Sequence, residues 1–467
     1  MDICAVVMAA GDGKRMKSAH SKVTHSVAGK PIIKWVYDAL ADAGCDEQVY
    51  IVGEKQGEIR SVLGEGVCYV FQEQRLGTGH AVMQAEPFLE GRSGYVIVLP
   101  GDSPMVSEKT ISTAISKMES ADYAAVLITA RADNPFGYGR VVRDDNGDVI
   151  KIVEHRDCSE EELEIKEINS SMYVFKTPLL LSALGRLSAS NAQKEYYLTD
   201  TIDILIGDGY KVGSVICNFE DTLGVNDRVQ LLQATKIINK RILYKHMMNG
   251  VTIVDETSTW IHSDVKIGRD TIVLPGTTLM GKTVIGEDCL IGEHTRLDTV
   301  IVGDHTTIDS SIASHCSIGD DCRIGPFSHI RPDTKINNNV TIGAYVEVKN
   351  STIDDYTRAR HLTYIGDSTV GKNVNFGCGT VTCNYDGVDK AGCTIGDNAF
   401  IGGNSNILAN VELGHDCYIA AGSTITKDVP ALSLGIARNK QDNKEEWVAN
   451  KNRTHGPIKL DERRSEV

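Results

Sequence analysis

The segment Ala9-Ala10-Gly11-Asp12-Gly13-Lys14-Arg15-Met16 follows the apolar run Ile3 to Met8 and combines two glycines with two cations. Glycines let backbone N–H groups approach an anion, and Lys14 and Arg15 add the charge a triphosphate needs. The spacing is neither the dinucleotide fingerprint nor the P-loop, so a plain tight turn is the competing reading. Lys22 lies near enough to reach the same phosphates as a point charge, although a lysine by itself is most often solvated surface. Gly101-Asp102 follows a second apolar run, Tyr95 to Leu99, which sets a carboxylate at the mouth of a sheet. One carboxylate suits Mg²⁺, which keeps phosphate and water among its ligands; capping a turn is the alternative. Far downstream, His361 opens His361-Leu362-Thr363-Tyr364. A neutral imidazole can accept the proton of an attacking amine, while a lone histidine more often serves structure.

These residues need elements to position them. From residue 1 to about 227, β-branched runs (Ala5 to Val7, Gln48 to Val52, Tyr95 to Leu99, Ala124 to Ile128) alternate with helical stretches such as Ile32 to Ala43. That alternation predicts a mostly parallel, doubly wound α/β sheet with its ligand loops after Met8 and Leu99. Between Arg228 and Asn249 glycine and proline vanish, and Val229, Leu232, Ile238, Ile242 and Leu243 recur among charged residues, which predicts one helix joining two domains.

After Val251 aliphatic residues fall every sixth position: 267, 273, 279, 285, 291 and 297; 318 through 348; 395 through 425. This hexapeptide period specifies a parallel β-helix, whose stacked column explains stability but not chemistry. The largest departure from the rhythm lies between Val348 and Ile395 and holds both His361 to Tyr364 and Asn384-Tyr385-Asp386-Gly387. The charged stretch 451–467 lacks apolar periodicity and reads as a mobile tail.

The 467 residues allow two or three domains, and 44 glycines against 8 Phe and 3 Trp fit a turn-rich, aromatic-poor chain. A net charge of −15 without any clustered basic stripe argues against nucleic acid and anionic membrane as partners. The 12 cysteines form no CxxC pair and read as free thiols of a reducing compartment, not as disulfides or structural zinc ligands. The opening residues read as a buried strand, not a signal peptide, and no run reaches the length of a membrane span, so a cytoplasmic location is expected.

In order, Ala9 to Met16, Lys22, Gln72 with Leu76-Gly77-Thr78-Gly79, Gly101-Asp102, Gly137-Tyr138-Gly139-Arg140, Val153-Glu154-His155, Glu167-Ile168-Asn169 and Gly224-Val225-Asn226 carry a resemblance. So do Arg331-Pro332, Glu347-Val348-Lys349, His361 to Asp367, Asn375, Thr382 to Gly387, Ala420-Ala421-Gly422 and Arg438. Over roughly residues 3 to 447 the chain resembles the bifunctional N-acetylglucosamine 1-phosphate uridylyltransferases / glucosamine 1-phosphate acetyltransferases.

The resemblance implies a Rossmann-like nucleotidyltransferase domain (1–227), a linker helix (228–250), a left-handed β-helix acetyltransferase domain (251–450) and the tail (451–467). It implies that acetyl-CoA acetylates glucosamine 1-phosphate, and that UTP then yields UDP-N-acetylglucosamine, a cell-wall precursor, and pyrophosphate. UTP and sugar contacts would come from Ala9, Ala10, Gly11, Gly13, Arg15, Lys22, Gln72, Gly77, Thr78, Gly139, Glu154, Asn169 and Asn226. Asp102 and Asn226 would hold Mg²⁺. At the second site His361 would be the base, with Arg331, Lys349, Tyr364 and Asn375 on the sugar phosphate. Acetyl-CoA would meet Cys378, Asn384, Tyr385, Gly403, Ala421 and Arg438, with Asn384-Tyr385 also shaping the acceptor pocket. A homotrimer is implied, each acetyltransferase site being completed by neighbouring chains.

Several positions depart from the family pattern: Lys14 for Thr, Ser21 for Pro, Ser170-Ser171 for Thr-Gly, Cys378 for Ala, and Gly403 for Ser. Arg360 replaces a small residue or proline, and a cation there disfavours protonated His361. A single-activity sugar-nucleotide pyrophosphorylase with a regulatory or structural β-helix is the alternative reading, and a UDP-sugar-binding protein without turnover is another.

Overall fold

Short β-branched runs, each flanked by a helix, build a sheet in the order Lys211–Ile216, Tyr123–Arg131, Glu167–Lys176, Tyr95–Pro100, Ile3–Ala9, Glu47–Val52, Cys68–Phe71. Neighbours are parallel except at Glu167–Lys176, which runs antiparallel to both of its own. Both faces are covered: Ala5, Val7 and Ala9 join one core with helices Ile32–Asp42 and Glu108–Ser120, and Cys4 and Val6 join the other. The computed structural model describes residues 2–191 and 193–448. The expected tail at 451–467 lies outside the described residues.

The predicted linker is the helix Arg228–Met248. Its N-cap is Asp227, whose carboxylate accepts from the N–H groups of Val229 and Gln230, both at 2.9 Å. It buries Ala234, Ile238 and Leu243, whereas Val229 and Leu232 face solvent. Buried Asn239 fixes the helix to the following strand by donating to the Thr259 carbonyl at 2.9 Å and accepting from the Ile261 N–H at 3.0 Å.

The chain forms two compact units, one running to Glu287 with Arg296–Asp298, the other made of Asp288–Thr295 and the chain from Thr299. Both contain coils of a left-handed parallel β-helix. Seventeen of the eighteen hexad positions are buried and Ile267 is half-buried. The small residues two places earlier point inward and are satisfied: Thr271 Oγ1 donates to the Gly286 carbonyl at 2.8 Å and Ser328 Oγ to that of Gly343 at 2.7 Å. Corners take left-handed backbone at Asp270, Asp321, Asp333, Asn339, Asn373 and Asn398, residue types that tolerate it.

One expectation changes. The stretch after Val348 does not break the column, which continues through buried Ile353, Ala359, Ile365, Val370 and Phe376. Thr341 pairs with Arg358 and Arg358 with Asn375, so each coil is one residue short of three hexads and the phase slips. Only the chain around Asn384 to Ala391 leaves the coil, because Asn375 next pairs with Phe400.

Candidate active sites

The loops at the carboxyl ends of the parallel strands surround a cleft of about 770 Å³ in the first unit. Ala9, Ala10, Gly11, Arg15, Lys22, Gln72, Gly77, Thr78, Asn169 and Asn226 line it together with Asp102. Lys22 extends its ammonium into contact with Asp102 Oδ2 and to 3.0 Å from Asn226 Oδ1. The two oxygens are brought together by the backbone, since the Val225 N–H donates to the Asp102 carbonyl at 2.8 Å. They form a small oxygen-lined seat already facing a cation.

Gly13 lies behind this group. Its φ is +62° and a Cβ there would lie 2.8 Å from Lys22 Cβ, so only glycine lets the loop close over the lysine. Gly77 likewise has φ +114° and packs on the Tyr196 backbone, which bonds to the Leu76 carbonyl and the Gly79 N–H, each at 2.8 Å. Buried Gln72 holds its amide nitrogen 3.0 Å from His80 Nδ1.

Gly139 and Glu154 do not line the cleft but adjoin it: Glu154 lines a recess of about 190 Å³ that shares Thr78 and Ser171 with it. A Cβ on Gly139 would lie 3.5 Å from both Asn169 Cβ and a Glu154 carboxylate oxygen. Asn169 donates to the Tyr173 hydroxyl at 2.7 Å, and Glu154 accepts from Thr199 Oγ1 at 3.3 Å. Burial raises the Glu154 carboxyl above the usual range, helped by Asp157 and Asp200 and opposed by the Thr199 bond.

The departures in this unit have physical consequences. Ser171 sits at φ +60° in the bulge between Asn169 and Met172, left-handed backbone that a glycine would take without strain. Ser21 uses an N–H that proline lacks, donating to Glu58 Oε2 at 2.9 Å. Lys14 is exposed, 3.8 Å from Asp12.

In the second unit the expected residues fall into two groups. Around Asp367, Lys349 Nζ lies at 3.4 Å, Asn350 donates at 2.8 Å, and Asn384 Nδ2 touches both the carboxylate and, at 3.3 Å, the Tyr364 hydroxyl. Burial opposes ionisation of Asp367, but the bonds from Asn350 and Asn384 and the Lys349 charge hold its carboxyl below the ordinary range. Arg331, one strand up, pairs with Glu347 at 2.7 Å. Asn375 is not in this group and stacks between Arg358 and Phe400.

The second group follows one corner of the prism. Arg360 and His361 are exposed there, next to Leu362 at φ +30°. The Gly379 N–H donates to the Leu362 carbonyl at 2.8 Å, the Asn404 N–H to Cys378 at 2.7 Å, and the Gly422 N–H to Gly403 at 2.9 Å. Arg438 closes the series by donating to the Ala421 carbonyl at 2.9 Å. His361, Cys378, Gly403 and Ala421 therefore form a continuous shelf. A Cβ on Gly403 would lie 3.0 Å from the Cys378 carbonyl, so the glycine lowers the shelf there. Tyr385 turns on itself, its hydroxyl donating to Gly387 at 2.7 Å.

Sequence reasoning missed Gln230, Arg75 and Asp367. Gln230 Oε1 accepts the Asn226 N–H at 2.8 Å, and its place three residues after the N-cap Asp227 is the signal that could have found it. Arg75 lines the cleft and pairs with Asp12. Asp367 ended a quoted motif without a role.

A nucleotidyl transferase family profile matches residues 4–236, and a bacterial transferase hexapeptide profile of six repeats matches 264–299, 315–350 and 392–427. The repeat profile skips the phase-slipped coils that carry His361. The chain is 51% identical over 450 residues to a bifunctional protein GlmU of Acetivibrio thermocellus, covering 96% of this chain and 98% of that one. Those of Caldanaerobacter subterraneus subsp. tengcongensis (49% over 448 residues) and Clostridium kluyveri (46% over 449) are covered equally. With a nucleotidyltransferase half, a hexapeptide half and end-to-end likeness of this degree, the chain belongs to the GlmU family of bifunctional uridylyltransferase/acetyltransferase enzymes that make UDP-N-acetylglucosamine.

Proposed function

We propose that the cleft of the first unit transfers UMP from UTP to N-acetylglucosamine 1-phosphate and that the corner and Asp367 cluster of the second acetylate glucosamine 1-phosphate. The domain bounds are 1–227, 228–250 and 251–450. The observation that carries the first assignment is the convergence of Lys22, Asp102 and Asn226 from three separate stretches of chain. A seat of one carboxylate and one amide oxygen, already facing an ammonium, fits Mg²⁺, whose remaining ligands are phosphate and water. Asp102 and Asn226 would hold it, and it would supply charge neutralisation for the departing pyrophosphate. The chain itself aligns the reactants: Gln72 and the Gly77-Thr78 backbone take the uridine, Gly11 to Arg15 and Lys22 take the phosphates, and Gly139, Glu154 and Asn169 take the sugar. The sugar phosphate oxygen attacks the α-phosphorus and the α–β bridging bond breaks, so no side-chain nucleophile is needed.

At the second site the amine of glucosamine 1-phosphate attacks the thioester carbonyl of acetyl-CoA. His361 accepts the amine proton and CoA departs as the thiol. Lys349 and Arg331 hold the phosphate, Tyr364 and Asn384 orient the amine, and the shelf at Cys378, Gly403 and Ala421, with Tyr385 and Arg438, takes CoA.

The enzyme is a cytoplasmic homotrimer in this reading. Among the described residues no helix is long and apolar enough to cross a membrane. Stacked, exposed Phe327 and Tyr345, ring centres 5.5 Å apart, continue to exposed Leu362 beside His361. Such an apolar ladder suits cover by a neighbouring chain, which would also desolvate the base. Sedimentation-matched assays test it: acetyl transfer belongs to the trimer, and an active monomer refutes the shared site.

A further inference from the structure

Asp12 is an anomaly in a loop that cradles phosphate, because a carboxylate there repels the ligand. Its partner is Arg75, in contact through Nη1. Both side chains are about one-third exposed, and Arg75 lines both the cleft and a small adjoining recess of about 30 Å³ that it shares with Asp12 and Gly53. The place is built for it. A Cβ on Gly53, at the end of strand Glu47–Val52, would lie 3.2 Å from Arg75 Nη2 and 3.0 Å from the Ala10 carbonyl, so glycine leaves room for the planar group against the loop. Asp12 has a second cation, Lys14 at 3.8 Å, which stays beside it if Arg75 turns away.

An exposed ion pair is weak, and a polyanion offers guanidinium a denser, bidentate set of acceptors than one carboxylate does. We infer that Arg75 is a further substrate-binding residue of uridylyl transfer, whose guanidinium exchanges Asp12 for the β- and γ-phosphates of UTP. Asp12 holds the fork in the loop and sets the cost of the exchange. This rests on the reading of the cleft as the UTP site.

The chemistry of the reaction separates this role from a structural one. The β- and γ-phosphates leave as pyrophosphate, so UTP and pyrophosphate share them while UDP-N-acetylglucosamine lacks them. Arg75→Ala is expected to raise KM for UTP and, in the reverse reaction, for pyrophosphate by about tenfold, with calorimetric affinity for UDP-N-acetylglucosamine changed less than about twofold. Arg75→Lys should fall between, keeping charge without the fork. Asp12→Asn should act oppositely, lowering both KM values about threefold, and it keeps the test open if the alanine variant does not fold. Equal weakening of UDP-N-acetylglucosamine, or unchanged KM values in Arg75→Ala or Asp12→Asn, overturns the inference. Lys22→Ala run alongside isolates its premise: if that variant also handles UTP normally, the cleft assignment itself fails.

Discussion

Lys22 is held by Asp102 and Asn226 at once, so removing any one of the three leaves the others poorly balanced. Asp102→Asn keeps the size of the side chain but loses its charge, and uridylyl transfer should fall by about 100-fold or more in a folded protein, measured as Mg²⁺-dependent pyrophosphate release. Glu154 gives a pH test. Its folded-state carboxyl is raised by burial, so its contribution to stability is present below the ordinary glutamate range and is lost as pH rises through the raised value. The same shift means that on acidification Glu154 takes up its proton earlier than a surface glutamate. KM for N-acetylglucosamine 1-phosphate should therefore climb at mildly acidic pH in the wild type and stay flat in Glu154→Gln; parallel profiles in the two would contradict a carboxylate contact to the sugar. At this scale the sequence was readable where residue type and motif order coincide, as at Lys22 and Asp102. Arg75 and Asp367 were not, because each acquires meaning only from a partner distant in the chain: Asp12 for the first, Lys349 and Asn384 for the second.

Elements position these groups through features that a single substitution can break. At Gly13 the left-handed backbone and the 2.8 Å approach to Lys22 Cβ leave no space for a methyl group. Gly13→Ala should thus cost uridylyl transfer about 100-fold while leaving acetyl transfer intact, read by assaying both activities on one preparation. In the β-helix, Ile407 is fully buried between Thr382 and Ile425 of the adjoining coils. Ile407→Ala should destabilise that unit by about 2–5 kcal/mol, seen as a lower denaturant midpoint for acetyl transfer than for uridylyl transfer. The hexad period was legible because a strict repeat admits one geometry, and the sheet because β-branched runs and helical stretches alternate. The coils from Val348 onward were obscured since a coil one residue short keeps its buried column while losing its arithmetic. In the linker helix, Val229 and Leu232 obey the apolar pattern yet face solvent, for the core lies on the stripe of Ala234, Ile238 and Leu243.

For the whole molecule, two units that hold the proposed residues of the two reactions apart from each other imply activities that fail separately. Assembly should couple to only one of them: replacing Tyr345 and Leu362 in the exposed ladder by Ser is expected to weaken the trimer and acetyl transfer together, with uridylyl transfer retained, as followed by sedimentation velocity on assayed samples. The change from alternating strands and helices to hexads separates the motifs of the two halves along the chain, but the first compact unit runs on to Glu287 and so takes in the first hexads. The surface proposed to join three chains was not readable, because ladders such as Phe327 to Tyr345 form only once coils stack. The most direct test of a two-site enzyme is one chromatographic run that resolves all products from glucosamine 1-phosphate, acetyl-CoA, UTP and Mg²⁺, avoiding thiol dyes because the chain has 12 cysteines. The wild type should release CoA and form UDP-N-acetylglucosamine, Asp102→Asn should release CoA and accumulate N-acetylglucosamine 1-phosphate, and His361→Ala should release no CoA yet convert supplied N-acetylglucosamine 1-phosphate. Loss of both activities in either folded variant, or CoA release undiminished in His361→Ala, would contradict the account.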